Sequence, residues 1–190
     1  EDLMLLKKVV LAAALVLSAV GQAYSASVEP VTAEISAQRT PSSGLFFNGE
    51  FNFELTDELM DVLLRGITLS FVLEVEVEKK RWYWFDRDIA GASEHIRLSF
   101  NPLTRKYKLS IGGMTQSFES PAAALAMMKN VSNLYLGSYR ELNPEGYSAK
   151  ARFYLDTSKL PKPFQVTLRR EDGWNVDSGW FPVKITRSEG

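Results

Sequence analysis

The sequence predicts a mainly β domain, an antiparallel β-sandwich or strongly curved sheet with two short helices at about 57–65 and 121–131. Three observations carry this expectation. Apolar and polar residues alternate through Phe47 to Leu55 and again through Ile67 to Val77, the period of a strand with one buried and one wet face. Asn101-Pro102 and Gly112-Gly113 have the chemistry of tight reversals between short strands. Two helix starts stand out, Thr56 before Asp57 and Glu58, and Ser120 before Pro121. Their residue types suit the N-cap and the first turn.

Each element follows in chain order. Residues 27–44 read as a linker or first strand, with Val31, Ala33, Ile35 and Ala37 alternating. Phe47, Gly49, Phe51, Phe53 and Leu55 share one face of the next strand. A helix follows with Leu59, Met60, Leu63 and Leu64 as its apolar side, ended by Gly66. The longest predicted strand points Ile67, Leu69, Phe71, Leu73, Val75 and Val77 inward, with Thr68, Ser70, Glu74, Glu76 and Glu78 outward. Strands at Ile96–Phe100, Tyr107–Ile111 and Met114–Phe118 precede the second helix. Later strands are expected at Leu134–Tyr139, Tyr147–Leu155, Phe164–Leu168 and Trp174–Thr186, the last broken at Ser178-Gly179. The prolines at 161, 163 and 182 are expected at edges or strand starts, because proline cannot donate to a ladder.

The chain has 190 residues, 45% of them hydrophobic, enough for one sizeable core. Residues 1–26 read as a cleaved signal peptide: Lys7 and Lys8, an apolar run from Val9 to Val20, then small residues around Ala23 to Ala26. That run is shorter than the roughly 20 residues a membrane span requires. The expected mature protein is one soluble, periplasmic β-rich domain over residues 45–190. A formal charge of -1, from 22 basic and 23 acidic residues, provides no field for gripping nucleic acid. The absence of cysteine excludes disulfides and a Cys-His nucleophile pair.

His95, the sole histidine, cannot build a zinc site of two or more His or Cys ligands. No Gly-x-Ser-x-Gly elbow accompanies it, and by parity it falls on the outer face with Arg97 and Ser99. Glu74, Glu76 and Glu78 form an outward row with neighbours about 6.6 Å apart, near the lower end of the spacing of an inverting glycosidase pair. The favoured expectation is a solvated face in which they meet Arg97, Lys106 and Lys108 on adjacent strands. Asp86-Arg87-Asp88 resembles the start of an oxygen-rich cation loop but lacks its remaining ligands and its glycine. No metal or cofactor is expected.

The run Trp82, Tyr83, Trp84 and Phe85, followed by Asp86, Arg87 and Asp88, is the candidate binding surface. If the inward register of Ile67 to Val77 continued, Lys79 and Arg81 would be driven into the core, at a desolvation cost exceeding any gain. The strand is therefore expected to bulge or leave the sheet there. Beyond that break Trp82 and Trp84 lie on one side and Tyr83 and Phe85 on the other. One pair can be core. The other is either roofed by another part of the chain or exposed as a protein-docking or sugar-stacking patch.

Four phrases, in order, resemble the bacterial DUF4390 family: LLRGITLSFVLEVEVEKKRWYWFD from Leu63, RLSFNPLTRKYKLSIGG from Arg97 with QSF at Gln116, LDTSKLPKPFQV from Leu155, and the Trp174–Trp180 pairing. The resemblance implies an exported domain near the cell envelope, with no assigned activity and no catalytic residues to carry over. It also implies a partner among envelope signalling proteins, such as a membrane sensor kinase. The leading functional expectation is a non-enzymatic periplasmic binding or interaction module that docks through Trp82–Asp88. The competing expectations are a carboxylate-based hydrolase of envelope polysaccharide using Glu74, Glu76 or Asp86, and an apolar-ligand carrier enclosed by the sheet.

Overall fold

A computed structural model of the chain describes residues 28–38, 44–79, 87–138, 146–168 and 176–187. The expected leader, residues 1–26, lies outside the described residues. Nine strands form one sheet: β1 (Glu29–Gln38), β2 (Gly44–Asn52), β3 (Leu69–Lys79), β4 (Arg87–Asn101), β5 (Lys106–Ile111), β6 (Met114–Phe118), β7 (Asn130–Gly137), β8 (Tyr147–Leu155) and β9 (Phe181–Arg187). Their order across the sheet is β6-β5-β4-β3-β8-β9-β1-β2-β7. This is a curled mixed sheet, the strongly curved alternative among the expected β architectures. Its curl brings the far strand β7 back toward β4: a Cβ placed on Gly137 would stand 3.5 Å from the Cβ of Ala90.

The pairs are antiparallel except one. β1 and β9 run parallel over Glu34–Ala37 and Lys184–Arg187, which departs from an all-antiparallel expectation. Alternation reveals which residues share a face, not which way a neighbour runs, and these two strands are joined through most of the domain rather than by a hairpin.

Among the described residues, three helices accompany the sheet: α1 (Asp57–Leu64), α2 (Pro121–Met128) and α3 (Lys162–Leu168). Thr56 caps α1, its side-chain oxygen accepting from the Leu59 N–H at 3.4 Å. Its other end closes as a Schellman motif, with Gly66 N–H donating to Leu63 O and Ile67 N–H to Val62 O, and Gly66 at φ +85°. Leu59, Val62 and Leu63 are buried, whereas Leu64, expected on that face, is exposed. Ser120 and Pro121 start α2 as expected. The helix stops three residues before the predicted Val131, because Val131 is taken into β7 opposite Gly49.

Phe164–Leu168, predicted as a strand, belongs to α3. Pro161 and Pro163 stand where a helix leaves N–H groups unused, so proline is compatible with its first turn. Gln165 secures the preceding 3-10 turn (Thr157–Lys159) by donating to Leu160 O at 2.6 Å and Ser158 O at 3.0 Å. The last predicted strand shortens to β9, preceded by a single bridge between Asp177 and Tyr154. β4, with 15 residues, is the longest strand, in place of the predicted Ile67–Val77 stretch.

The core sits on the concave side. The rings of Phe51, Phe53 and Phe71 surround that of Phe153, with centroids 5.1, 5.2 and 5.7 Å away. Burying each of these side chains contributes roughly 1.5–3 kcal/mol.

Candidate functional site

Of the candidate surface, Trp82, Tyr83, Trp84, Phe85 and Asp86 lie outside the described residues. Arg87 and Asp88 open β4, their backbones paired with Lys79 and Glu78. The β3–β4 register shifts between Val77 and Glu78, where β4 carries one extra residue, Ile89, and pairing resumes with Glu78 opposite Asp88. The irregularity lies on β4, while β3 pairs with β8 without a shift through Lys79. Val77 is fully buried, and two residues later Lys79 ends β3 exposed, its ammonium 5.8 Å from the Tyr147 ring centroid. The described pairing runs through Lys79, opposite Arg87 on one side and Tyr147 on the other.

Alternation along β8 buries Ala149, Ala151, Phe153 and Leu155 and turns Lys150, Arg152 and Tyr154 outward. These outward side chains meet the glutamate row of β3. Lys150 stands opposite Glu76, bridges it at 2.9 Å and reaches Glu78 at 2.6 Å. The two carboxylates, Glu78 most strongly, hold its ammonium well above the usual lysine range. The same ammonium lies 5.1 Å from the ring centroid of the exposed Trp180. The expected partners Arg97, Lys106 and Lys108 are therefore replaced by a strand on the other side of β3. Lys106 pairs with Glu119 instead. Outward alternation in Tyr147–Leu155 was the signal that could have found Lys150.

One step along the face, the Arg152 guanidinium donates twice to Asp177, at 3.0 and 2.5 Å, and lies 4.7 Å from the Tyr154 ring centroid. That pair of hydrogen bonds, helped by the Gly179 N–H, holds the Asp177 carboxyl below its ordinary value. It also raises Arg152. Tyr154 donates its hydroxyl to Glu74 at 3.0 Å, and burial followed by this bond pushes the phenol up. Glu74, Glu76 and Glu78 are each engaged by a neighbouring side chain, a solvated ionic face of the kind expected. Val72, on the same face, is nonetheless buried between Tyr154 and His95 of the flanking strands, an apolar element the glutamate pattern hides.

His95 is exposed on the outer face with Arg97, as parity required. Both line a groove of about 730 Å³ together with Ser70, Ser93, Lys159 and the Gly112-Gly113 turn. That turn joins β5 to β6 with both glycines at positive φ, a hairpin as predicted. Two carboxylates also face the groove: Glu94 accepts from the Gly112 N–H at 2.7 Å, and Asp156 accepts from the Ser158 N–H at 3.1 Å. Among the described residues, no three His, Asp or Glu side chains gather so as to hold a metal ion.

A family model for a domain of unknown function, DUF4390, matches residues 28–184. The chain belongs to this family. The match spans every strand from β1 to the middle of β9, so the DUF4390 unit and the curled sheet are the same object. No curated protein and no solved structure matches the chain. Among the described residues of this DUF4390 domain, no helix is long and apolar enough to cross a membrane.

Proposed function

We propose that this DUF4390 protein is a non-enzymatic binding module of the bacterial periplasm, exported by its leader, that docks on an envelope protein through the segment Trp82–Asp88. One observation supports the reading: Lys79, just past a register shift and two residues beyond the buried Val77, is exposed, three residues before the aromatic run. Aromatics flanked by Lys79, Lys80, Arg81, Asp86, Arg87 and Asp88 have the composition of an interface hot spot with a charged rim. A membrane sensor kinase is the partner class in view. The engagement of Glu74, Glu76 and Glu78 by Tyr154 and Lys150 favours binding over carboxylate catalysis, since groups tied into ion pairs and hydrogen bonds are poorly placed to exchange protons with a substrate.

The test is a photoreactive residue at position 84, crosslinked in intact envelopes and read by mass spectrometry. A single dominant envelope protein is expected, and Trp82→Ala with Trp84→Ala should weaken its capture while leaving the melting temperature nearly unchanged. A large fall in melting temperature in the double variant would assign both indoles to the core and end the proposal.

A further inference from the structure

The outer face of the sheet divides into two unlike halves. Over β8 the long polar side chains are paired within the chain: Lys150 with Glu76 and Glu78, Arg152 with Asp177, Tyr154 with Glu74. Over β4 and β5 fewer are, Lys106 with Glu119 among them. Among the described residues, Arg97, Lys108 and Lys159 make neither an ion pair nor a side-chain hydrogen bond.

Register explains the hollow beside them. Arg97 lies between Ser70 of β3 and Ser110 of β5. Ser93, four residues from Arg97 on the same face of β4, also lines the groove. Short hydroxyl side chains around a long cation leave a floor with space above it, and the groove of about 730 Å³ falls within the size range of small-molecule sites. Its two carboxylates already accept from the chain, Glu94 from Gly112 N–H, and Asp156 from Ser158 N–H and, at 2.5 Å, from the Ser158 hydroxyl. Each carboxylate is thus already engaged by the chain, whereas the cations Arg97 and Lys159 have no such partner among the described residues. A guanidinium fork matches the two oxygens of a carboxylate or phosphate, and a lysine ammonium adds a point charge that tolerates varied approach.

We infer that this groove binds a small polar ligand carrying a carboxylate or phosphate, with Arg97 and Lys159 taking the anionic group and Ser70, Ser93 and His95 contacting its polar remainder. The site goes beyond the docking reading. Ser70 and Lys79 are nine residues apart on β3, about 30 Å along the strand, so the two surfaces can fail separately.

The experiment is an amide chemical-shift titration of the full chain with glucose 6-phosphate, glucuronate and, as the neutral control, glucose. Saturable shifts at Ser70, Arg97 and Gly112 are expected with at least one of the anions and not with glucose. Response to glucose 6-phosphate alone identifies a phosphate site, and response to glucuronate alone a carboxylate site. Arg97→Ala and Lys159→Ala should each weaken binding about tenfold. Arg97→Lys should lose less, keeping the charge and losing the fork. Both Arg97 and Lys159 are exposed, so unchanged melting temperatures would show the variants folded. Absence of saturable shifts with either anion up to about 20 mM, equal response to glucose, or wild-type affinity in both alanine variants would overturn the assignment.

Discussion

Arg152 stands directly opposite Glu74 in the β3–β8 register, yet it gives its guanidinium to Asp177, and Glu74 accepts from Tyr154 instead. The exchange satisfies four groups where the direct pair would satisfy two. Asp177 lies beyond the break at Ser178-Gly179, and its carboxylate also accepts from the Gly179 N–H at 2.8 Å, so the pair fastens the approach to β9 onto β8.

Asp177→Asn is accordingly expected to destabilise the domain by about 0.5–1.5 kcal/mol near neutral pH, the range for a partly exposed bidentate pair. Arg152 holds the folded-state pKa of Asp177 below its ordinary 3.8. The contribution is then fully present above the unfolded value and is lost as pH falls through the depressed folded value. Urea melts should show the gap between wild type and Asp177→Asn narrowing below about pH 4. A gap that holds constant to about pH 2 would mean the carboxylate's charge is not what stabilises.

Lys150 supplies one charge to two carboxylates. Removing it in Lys150→Ala leaves Glu76 and Glu78 on one strand face without a counter-charge, and like charges at that spacing repel. All three side chains are substantially open to solvent, between 20 and 40% exposed, so the loss is expected to be modest, about 0.5–1 kcal/mol or a few degrees in Tm. It should shrink in about 1 M salt, where the screening length is near 3 Å. Glu76→Gln with Glu78→Gln in the Lys150→Ala background should recover part of the loss. No recovery would point to the contact of the ammonium with the Trp180 ring as the stabilising one.

How far the sequence could be read depends on what alternation encodes. Parity placed Phe47, Phe51 and Phe71 inside and Glu74, Glu76 and His95 outside, and the caps at Thr56 and Ser120 located two helices. Parity does not say which strand lies alongside, so Glu76 was expected to face the cations of β4 and β5 when its partner is Lys150 of β8. Nor does it give strand direction, which is why the parallel β1–β9 pair was invisible. Phe164–Leu168 misled because its apolar and β-branched residues fit a strand, while the deciding contacts, from Gln165 to Ser158 and Leu160, lie in the preceding turn. The cost of burying Lys79 pointed to an irregularity just after Val77, and a register shift does fall there, but on β4, whose extra residue Ile89 the alternation of β3 could not foretell. A partner for the aromatic run would carry no such internal cost to reveal it.

Two glycines separate close approach from backbone conformation as reasons for the residue. Gly91 sits mid-strand in β4 opposite Glu76, and a Cβ there would stand 2.8 Å from the carbonyl oxygen of Val75. That neighbour is backbone held in a ladder, so it cannot swing aside, and Gly91→Ala is expected to cost about 1–3 kcal/mol. Gly113 has nothing within 4 Å of such a Cβ but holds φ at +82°. Gly113→Ala should cost about 1–2 kcal/mol for conformation alone. The two mechanisms respond oppositely to asparagine, which tolerates the left-handed region but still has a Cβ. Gly113→Asn should therefore regain much of the stability lost in Gly113→Ala, whereas Gly91→Asn should be no better than Gly91→Ala, as measured by urea midpoints. If asparagine rescued position 91, the tight approach of β4 to the Val75 carbonyl would not be what requires glycine there.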